Sequence, residues 1–159
     1  MSASVRVATP GDVDALEPIL PAFLGPPHKR ERYLRALHAG DVFAAADGNA
    51  IVGFVWLTDF FGHRFVNVLA VAAERRRAGY AGMLLDFALR DAPSDRVFTS
   101  TNRSNAAMHA VLARYGWTRC GEVDELDPGD PEVFYVRRVA AAEGSEPWRR
   151  SRSSAGSRG

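Results

Sequence analysis

The sequence predicts an α+β fold, one twisted sheet with helices laid over it. Three observations carry this. The chain has 159 residues with 47% apolar and 25% charged side chains, the size and composition of one folded domain with a real core. Apolar periodicity switches between the strand and helix repeats in the order β-α-α-β-β-β-α-β-α-β-β. An Asp47-Gly48 turn between two apolar runs marks a hairpin, and hairpins mixed with helices indicate a mixed rather than a purely parallel sheet.

Val5-Arg6-Val7-Ala8 alternates as a first strand and stops at Pro10-Gly11. Asp12 is a cap for a helix over 13–20, with Leu16, Ile19, Leu20 and Phe23 at helical spacing. Gly25-Pro26-Pro27 breaks it. A second helix over 29–38 shows Tyr33, Leu34 and Leu37 on one face, and Gly40 ends it. Strands are predicted over 42–46 and 51–57 around Asp47-Gly48-Asn49, and over 65–71. A helix over 79–89 turns Met83, Leu84, Phe87 and Ala88 inward. A strand at 97–99 precedes a helix over 105–115 closed by Gly116. Two last strands, 117–123 and 133–139, flank a turn-rich Asp127–Pro131. Residues 1–140 read as one domain. Residues 141–159 read as a disordered tail rich in Arg, Ser and Gly, with Trp148 its one large apolar residue.

The formal net charge is +1, from 20 basic and 19 acidic residues. Such a balance gives no global attraction to nucleic acid or membrane. The tail contributes four arginines and two glutamates, which leaves 16 basic and 17 acidic groups on the domain. Lys29 is the only lysine, a compositional bias. One cysteine, Cys120, excludes an internal disulfide and a clustered cysteine zinc site, and is most simply a buried strand residue. No apolar run is long enough to span a bilayer, and Met1–Pro10 lacks the pattern of a secretory leader, so the expected location is the cytoplasm.

The segment with chemical content is Val71–Leu85, where a strand gives way to a basic, glycine-containing loop and then a helix. Backbone N–H groups at a helix N-terminus lack intrahelical partners, and the helix dipole adds positive potential, so phosphates bind there. Gly79 and Gly82 allow close approach to the backbone, and Arg75-Arg76-Arg77 add charge. On spacing alone the same segment is equally an ordinary strand–loop–helix with a solvated arginine run.

Arg76-Arg77-Ala78-Gly79-Tyr80-Ala81 resembles the Arg/Gln-x-x-Gly-x-Gly/Ala signature of the GNAT superfamily of acyl-CoA-dependent N-acyltransferases. Val71 stands where that family ends its bulged fourth strand. Asn105 through Gly116-Trp117 resembles its later motif, and Val52-Gly53-Phe54 its third strand. The resemblance spans about residues 3–139. It implies an α/β/α sandwich, with a mostly antiparallel twisted sheet, splayed central strands and about four helices. It also implies an N-acetyltransferase that moves acetyl from acetyl-CoA to a primary amine by direct attack, with no metal. Backbone amides of Arg76, Arg77, Ala78, Gly79, Tyr80 and Ala81 would hold the pyrophosphate. The main chain of Leu69 and Val71 would pair with pantetheine and polarise the thioester carbonyl, and Asn105 would touch pantetheine. Many similar proteins form homodimers, so a homodimer is an expectation too. No nucleic-acid or membrane partner is expected.

The sequence departs from the family at the proton-handling positions. Leu112 stands where many members carry a tyrosine as general acid. His109, on the same helical face, is a candidate replacement; its alternative is a packed or surface histidine. The fourth strand has no carboxylate. That leaves His63, Asn67 holding a water, or solvent as the route for deprotonation, with water ranked above any single side chain. Tyr115 reads as core. Glu122, Asp124, Glu125, Asp127, Asp130 and Glu132 form an acidic hairpin, either a rim that steers a cationic amine or a solvated turn. Phe60, Phe61 and the Gly25-Pro26-Pro27 break are expected as apolar walls of an acceptor pocket. The alternative to an enzyme is a fold retained as a coenzyme A sensor or partner-binding module.

Overall fold

Seven strands form one sheet in the order β1-β2-β3-β4-β5-β7-β6, seen in a computed structural model that describes residues 2–20 and 27–140. They are β1 (Ala3–Val7), β2 (Val42–Asp47), β3 (Ala50–Phe60), β4 (His63–Val71), β5 (Arg96–Asn102), β6 (Thr118–Val123) and β7 (Glu132–Arg138). All neighbours are antiparallel except β4 and β5. The helices are α1 (Val13–Leu16), α2 (Pro27–Ala39), α3 (Tyr80–Leu89) and α4 (Ala106–Arg114). One apolar cluster joins the sheet to α3 and α4 through Val52, Val55, Val66, Leu84, Leu85 and Leu112. A second, on the opposite face, joins it to α1 and α2 through Leu16, Leu20, Tyr33, Leu37, Phe54 and Val68. The result is the expected mixed sheet between helical layers, with four α-helices among the described residues.

Local departures from the sequence expectations have identifiable causes. The first helix is short: α1 has four residues between two single 3-10 turns, because Pro18 has no N–H to extend it. Asp12 acts as the partner of a cap at Thr9. Its carboxylate accepts from the Thr9 N–H (2.8 Å) and from Arg6 (2.8 Å). The Arg6 hydrogen bond, with smaller help from Thr9, holds that carboxyl well below the usual range. Pro27, expected in a break, is the first residue of α2, where a missing N–H costs nothing. Phe23, Gly25, Pro26 and the whole tail lie outside the described residues.

The third strand runs on to Phe60, and β4 begins at His63, through a tight turn at Phe61 (φ 53°) and Gly62 (φ 82°). Two consecutive positive φ values match the twist of the flanking strands. Phe61 is 89% exposed at this tip. Phe60 instead packs against Phe65 and Phe98, ring centroids 5.2 and 5.5 Å away, so these rings are not walls of the cavity described below. Cys120, expected to be buried, is exposed on the edge strand β6. Among the described residues no helix is long and apolar enough to cross a membrane.

Candidate functional site

The centre of the sheet is where β4 and β5 part. Their parallel pairing covers only Arg64–Val66 against Val97–Thr99. The Thr99 hydroxyl closes it with a 2.9 Å bond to the Val66 carbonyl. Beyond that point β4 stays with β3, while β5 stays with β7. A bulge sits at the parting. On β3, Trp56 and Leu57 face Val68 and Val66, which leaves Asn67 as the extra residue. A bulge bends a strand and re-aims side chains. Here Val66 packs with the α3 layer and Val68 with the α2 layer, although they are two residues apart.

The parting leaves backbone groups of β4 without a strand partner. The Ala72 N–H bonds to the Val52 carbonyl (2.9 Å). Antiparallel ladders alternate, so Ala70 also turns its backbone to β3, and Leu69 and Val71 turn theirs to the opening. Both flank the splay with N–H and C=O groups free for an extended ligand, apart from a long contact (3.4 Å) from Arg76 Nε to the Val71 carbonyl.

The chain then runs through a 3-10 turn (Ala73–Arg75) into α3. Arg77 (φ 63°) and Gly79 (φ 87°, ψ 0°) adopt the left-handed conformation, and Gly79 is the N-cap with no side-chain cap. A left-handed residue directly before helical ones makes successive N–H groups converge into an anion-binding concavity. The first N–H groups of α3 add to it. Residues 73–79 are exposed. Arg75 leans toward Asp47 (3.6 Å), whereas Arg77 makes no hydrogen bond or ion pair among the described residues. Tyr80 contributes only backbone here, because its buried hydroxyl donates to Asp47 (2.8 Å). Gly82 serves packing. A Cβ there would sit 2.4 Å from the Tyr115 ring, so its lack of side chain seats Tyr115 against α3 instead of admitting a ligand.

On α4, Asn105 is the N-cap. Its Oδ1 accepts from the Met108 N–H (3.2 Å) and its Nδ2 donates to Thr101 Oγ1 (3.0 Å). The residue therefore fixes α4 to the end of β5, at the rim of the splay.

The acetyltransferase (GNAT) family profile matches residues 14–117, well over half the chain. The chain belongs to the GNAT acetyltransferase family. It is an acyltransferase by that membership. A search of the curated protein sequences finds no match. Among solved structures, a GNAT-family acetyltransferase from Bacillus cereus is 31% identical with a TM-score of 0.77, over 87% of this chain and 98% of that one. The ribosomal-protein-S18-alanine N-acetyltransferase from Escherichia coli shares the fold at 14% identity and a TM-score of 0.72, over 89% and 96% of the two chains. A NatC complex bound to Gag peptide and CoA is similar at 16% identity and 0.70, over 88% and 100%.

The positions at which GNAT enzymes handle protons are unusual in this chain. Leu112 is fully buried in the core. His109 lies between α4 and the sheet, where its Nδ1 is 2.6 Å from the Tyr135 hydroxyl. Its Nε2 is 3.1 Å from the carbonyls of Asn102 and Arg103. Carbonyls only accept, so Nε2 carries the proton and Tyr135 donates to Nδ1. Both nitrogens are engaged, and neither is offered to the splay. His63 sits at the other end of β4 with Nδ1 on Ser94 Oγ (2.7 Å), six residues or roughly 20 Å of strand from Leu69. Asn67 alone of the three is at the splay.

The acidic hairpin is largely committed to local bonds. Glu122 pairs with Arg103 and Arg119, Asp127 accepts from Asn102 (3.1 Å), Asp130 binds Ser104, and Glu132 accepts from Ser100 (2.6 Å). Only Asp124 and Glu125 have no such partner among the described residues. These bonds staple the β6–β7 hairpin to the β5–α4 loop; of these carboxylates Glu122 alone is neutralised by arginines, while the neutral donors on Asp127, Asp130 and Glu132 fix their positions and leave their charges in place.

Sequence reading missed a cavity of about 200 Å³ between α2 and the β3–β4 pair, lined by Leu20, Lys29, Arg32, Tyr33, Trp56 and Asn67. The available signal was the i, i+3, i+4 spacing of Lys29, Arg32 and Tyr33, which puts all three on one side of α2.

Proposed function

We propose that the protein is an N-acetyltransferase that moves acetyl from acetyl-CoA to a primary amine by direct attack within a ternary complex. The observation that carries this reading is the continuity of three features: the Asn67 bulge where β4 leaves β5, the unpaired edge at Leu69 and Val71, and the left-handed turn into α3 at Gly79. Acetyl-CoA, when bound, supplies the activated acetyl thioester. The backbone amides of Arg76 to Ala81 hold its pyrophosphate, with Arg77 as counter-charge. Leu69 and Val71 align the pantetheine as an added strand would be aligned, and their N–H groups face an oxygen on which negative charge develops. Asn105 supports the same arm from the start of α4.

Proton handling falls to Asn67 and water. A water held by Asn67 relays a proton from the acceptor's ammonium group to solvent; the neutral amine then forms the N–C bond to the thioester carbon, the C–S bond breaks, and the departing thiolate takes a proton from solvent. His109 acts as a positioning residue, tying α4 to β5 and β7. His63 is too far along β4 to act directly. Catalysis in this scheme is mainly proximity and orientation. The test is incubation with acetyl-CoA and a panel of primary amines, read as thiol release and a one-acetyl mass shift of the amine.

The second reading, a coenzyme A sensor or partner-binding module, draws on the buried Leu112 and the absence of a carboxylate on β4. Tight coenzyme A binding without turnover on any amine selects it over the first.

A further inference from the structure

The cavity beside Asn67 carries a distinctive charge arrangement. Lys29 and Arg32 are exposed cations on the same side of α2. Lys29 makes no hydrogen bond or ion pair among the described residues. The Arg32 guanidinium lies over the Trp56 ring, 5.9 Å from its centroid, which fixes its direction while leaving its N–H groups available. The carboxylates that act on Tyr33 are Glu17 and Asp12. Each is neutralised by its own arginine: Arg30 at 2.6 Å and Arg6 at 2.8 Å. The adjoining hollow shares Arg32 and Trp56 and adds Arg35 and Asp41. The uncompensated charge on the cavity wall is therefore positive.

Tyr33 is the second observation. It is 3% exposed, lines this cavity, and its hydroxyl has no hydrogen-bond partner among the described residues. A buried hydroxyl without a partner is costly, and native proteins rarely keep one without use. Burial, with Glu17 and Asp12 behind it, pushes its pKa up to about 12, so it remains a donor at any working pH. The cavity, about 200 Å³, has room for a carboxylate or a phosphate group.

We propose that this cavity receives an anionic group, carboxylate or phosphate, carried by the acceptor amine itself, with Lys29 and Arg32 as counter-charges and the Tyr33 hydroxyl as donor. This rests on the acetyltransferase reading above and narrows its acceptor to an amine that also carries a carboxylate or phosphate, an amino acid or amino phosphate being the simplest cases. Asn67 belongs both to the cavity wall and to the bulge that opens the splay. An acceptor anchored by its anion in the cavity thus presents its amine at the parting of β4 and β5. A purely cationic amine would meet Lys29 and Arg32 with like charge.

The test is acetyl-CoA consumption with matched acceptors: L-amino acids against their amides and decarboxylated amines, and phosphoethanolamine against ethanolamine. The anionic member of a pair is expected to show at least tenfold higher kcat/KM, and the two sets separate carboxylate from phosphate. Lys29→Gln and Arg32→Gln should each raise KM for the anionic acceptor about tenfold, with KM for acetyl-CoA within twofold of wild type. Tyr33→Phe should raise the acceptor KM and also raise Tm, since the stranded hydroxyl is gone. Equal or better use of the amides and decarboxylated amines overturns the proposal while leaving the acetyltransferase reading intact. No turnover with any amine defeats that reading instead. Calorimetric titration then decides the cavity: N-acetyl amino acids that bind wild type but not Lys29→Gln support it, and equal binding of acids and amides overturns it.

Discussion

Gly53→Ala tests whether β4 is held where the site needs it. Gly53 lies on β3 opposite Val71. A Cβ built there falls 2.7 Å from the Ala70 carbonyl oxygen and 3.3 Å from both Leu84 Cδ1 and Val71 Cγ2. The first distance is about 0.7 Å inside the 3.4 Å at which ordinary contact begins, and the atom met is backbone, which cannot swing aside. Overpacking of this kind costs about 1–3 kcal/mol. The lower unfolded-state entropy of alanine returns about 0.5–1 kcal/mol. The net loss, about 0–2.5 kcal/mol and centred near 1.2 kcal/mol, lowers Tm by roughly 3–5 °C at its centre for a domain of this size. The displaced strand carries Leu69 and Val71, so KM for acetyl-CoA should rise as well, with kcat/KM down about tenfold. Thermal melting and thiol-release kinetics measure both. Gly121→Ala is the control, because a Cβ there meets nothing within 4 Å. A Gly53→Ala protein that melts with wild type and keeps full kcat/KM would refute the account of how β4 is seated.

Three further outcomes follow from particular contacts. Leu112→Tyr places a phenol where the side chain is fully buried, so it should destabilise by about 1–3 kcal/mol and leave kcat unimproved; a tenfold gain in kcat at unchanged Tm contradicts this. Arg77→Gln removes a guanidinium that is unpaired among the described residues from the loop proposed to hold the pyrophosphate, and should raise KM for acetyl-CoA about three- to tenfold at low salt, with the gap closing as ionic strength rises. The Asp12 carboxyl is depressed by Arg6, so its stabilisation is complete above its unfolded pKa, about 3.9, and is lost as pH falls below that. Asp12→Asn should therefore flatten the loss of Tm between pH 5 and pH 3, and an identical slope in both proteins would show that the pair is not responsible.

What the sequence by itself determined is local and repetitive. The Asp47-Gly48 turn, the apolar periods, and the closing Gly116 specify elements through backbone preference and side-chain spacing, properties of a few neighbouring residues. The strand–loop–helix junction at 71–80 is specified in the same way: Gly79 adopts φ 87° at a helix start, a conformation that glycine takes readily. Family resemblance then supplied the splay, which no periodicity contains. The Phe61-Gly62 turn escaped notice because an exposed phenylalanine at positive φ is an uncommon choice, and the Gly signal beside it is shared with many loops.

Tertiary structure decided everything that depends on which groups meet. Gly82 and Tyr115 are 33 residues apart, so only packing of α3 against α4 shows that the glycine makes room for a ring. His109 looked free on a helical wheel; the register of β7 delivers Tyr135 to one nitrogen, and the end of β5 supplies carbonyls to the other. The acidic hairpin reads in sequence as six equivalent charges; the fold pairs one of them, Glu122, with Arg103 and Arg119, and pins Asp127, Asp130 and Glu132 by hydrogen bonds from Asn102, Ser104 and Ser100 that leave their charge intact. Charge in a sequence is a sum over residues, whereas the potential at a site depends on which charges remain unpaired within a few ångströms. That is why a near-neutral chain yields a cavity whose free wall charges, Lys29 and Arg32, are both positive.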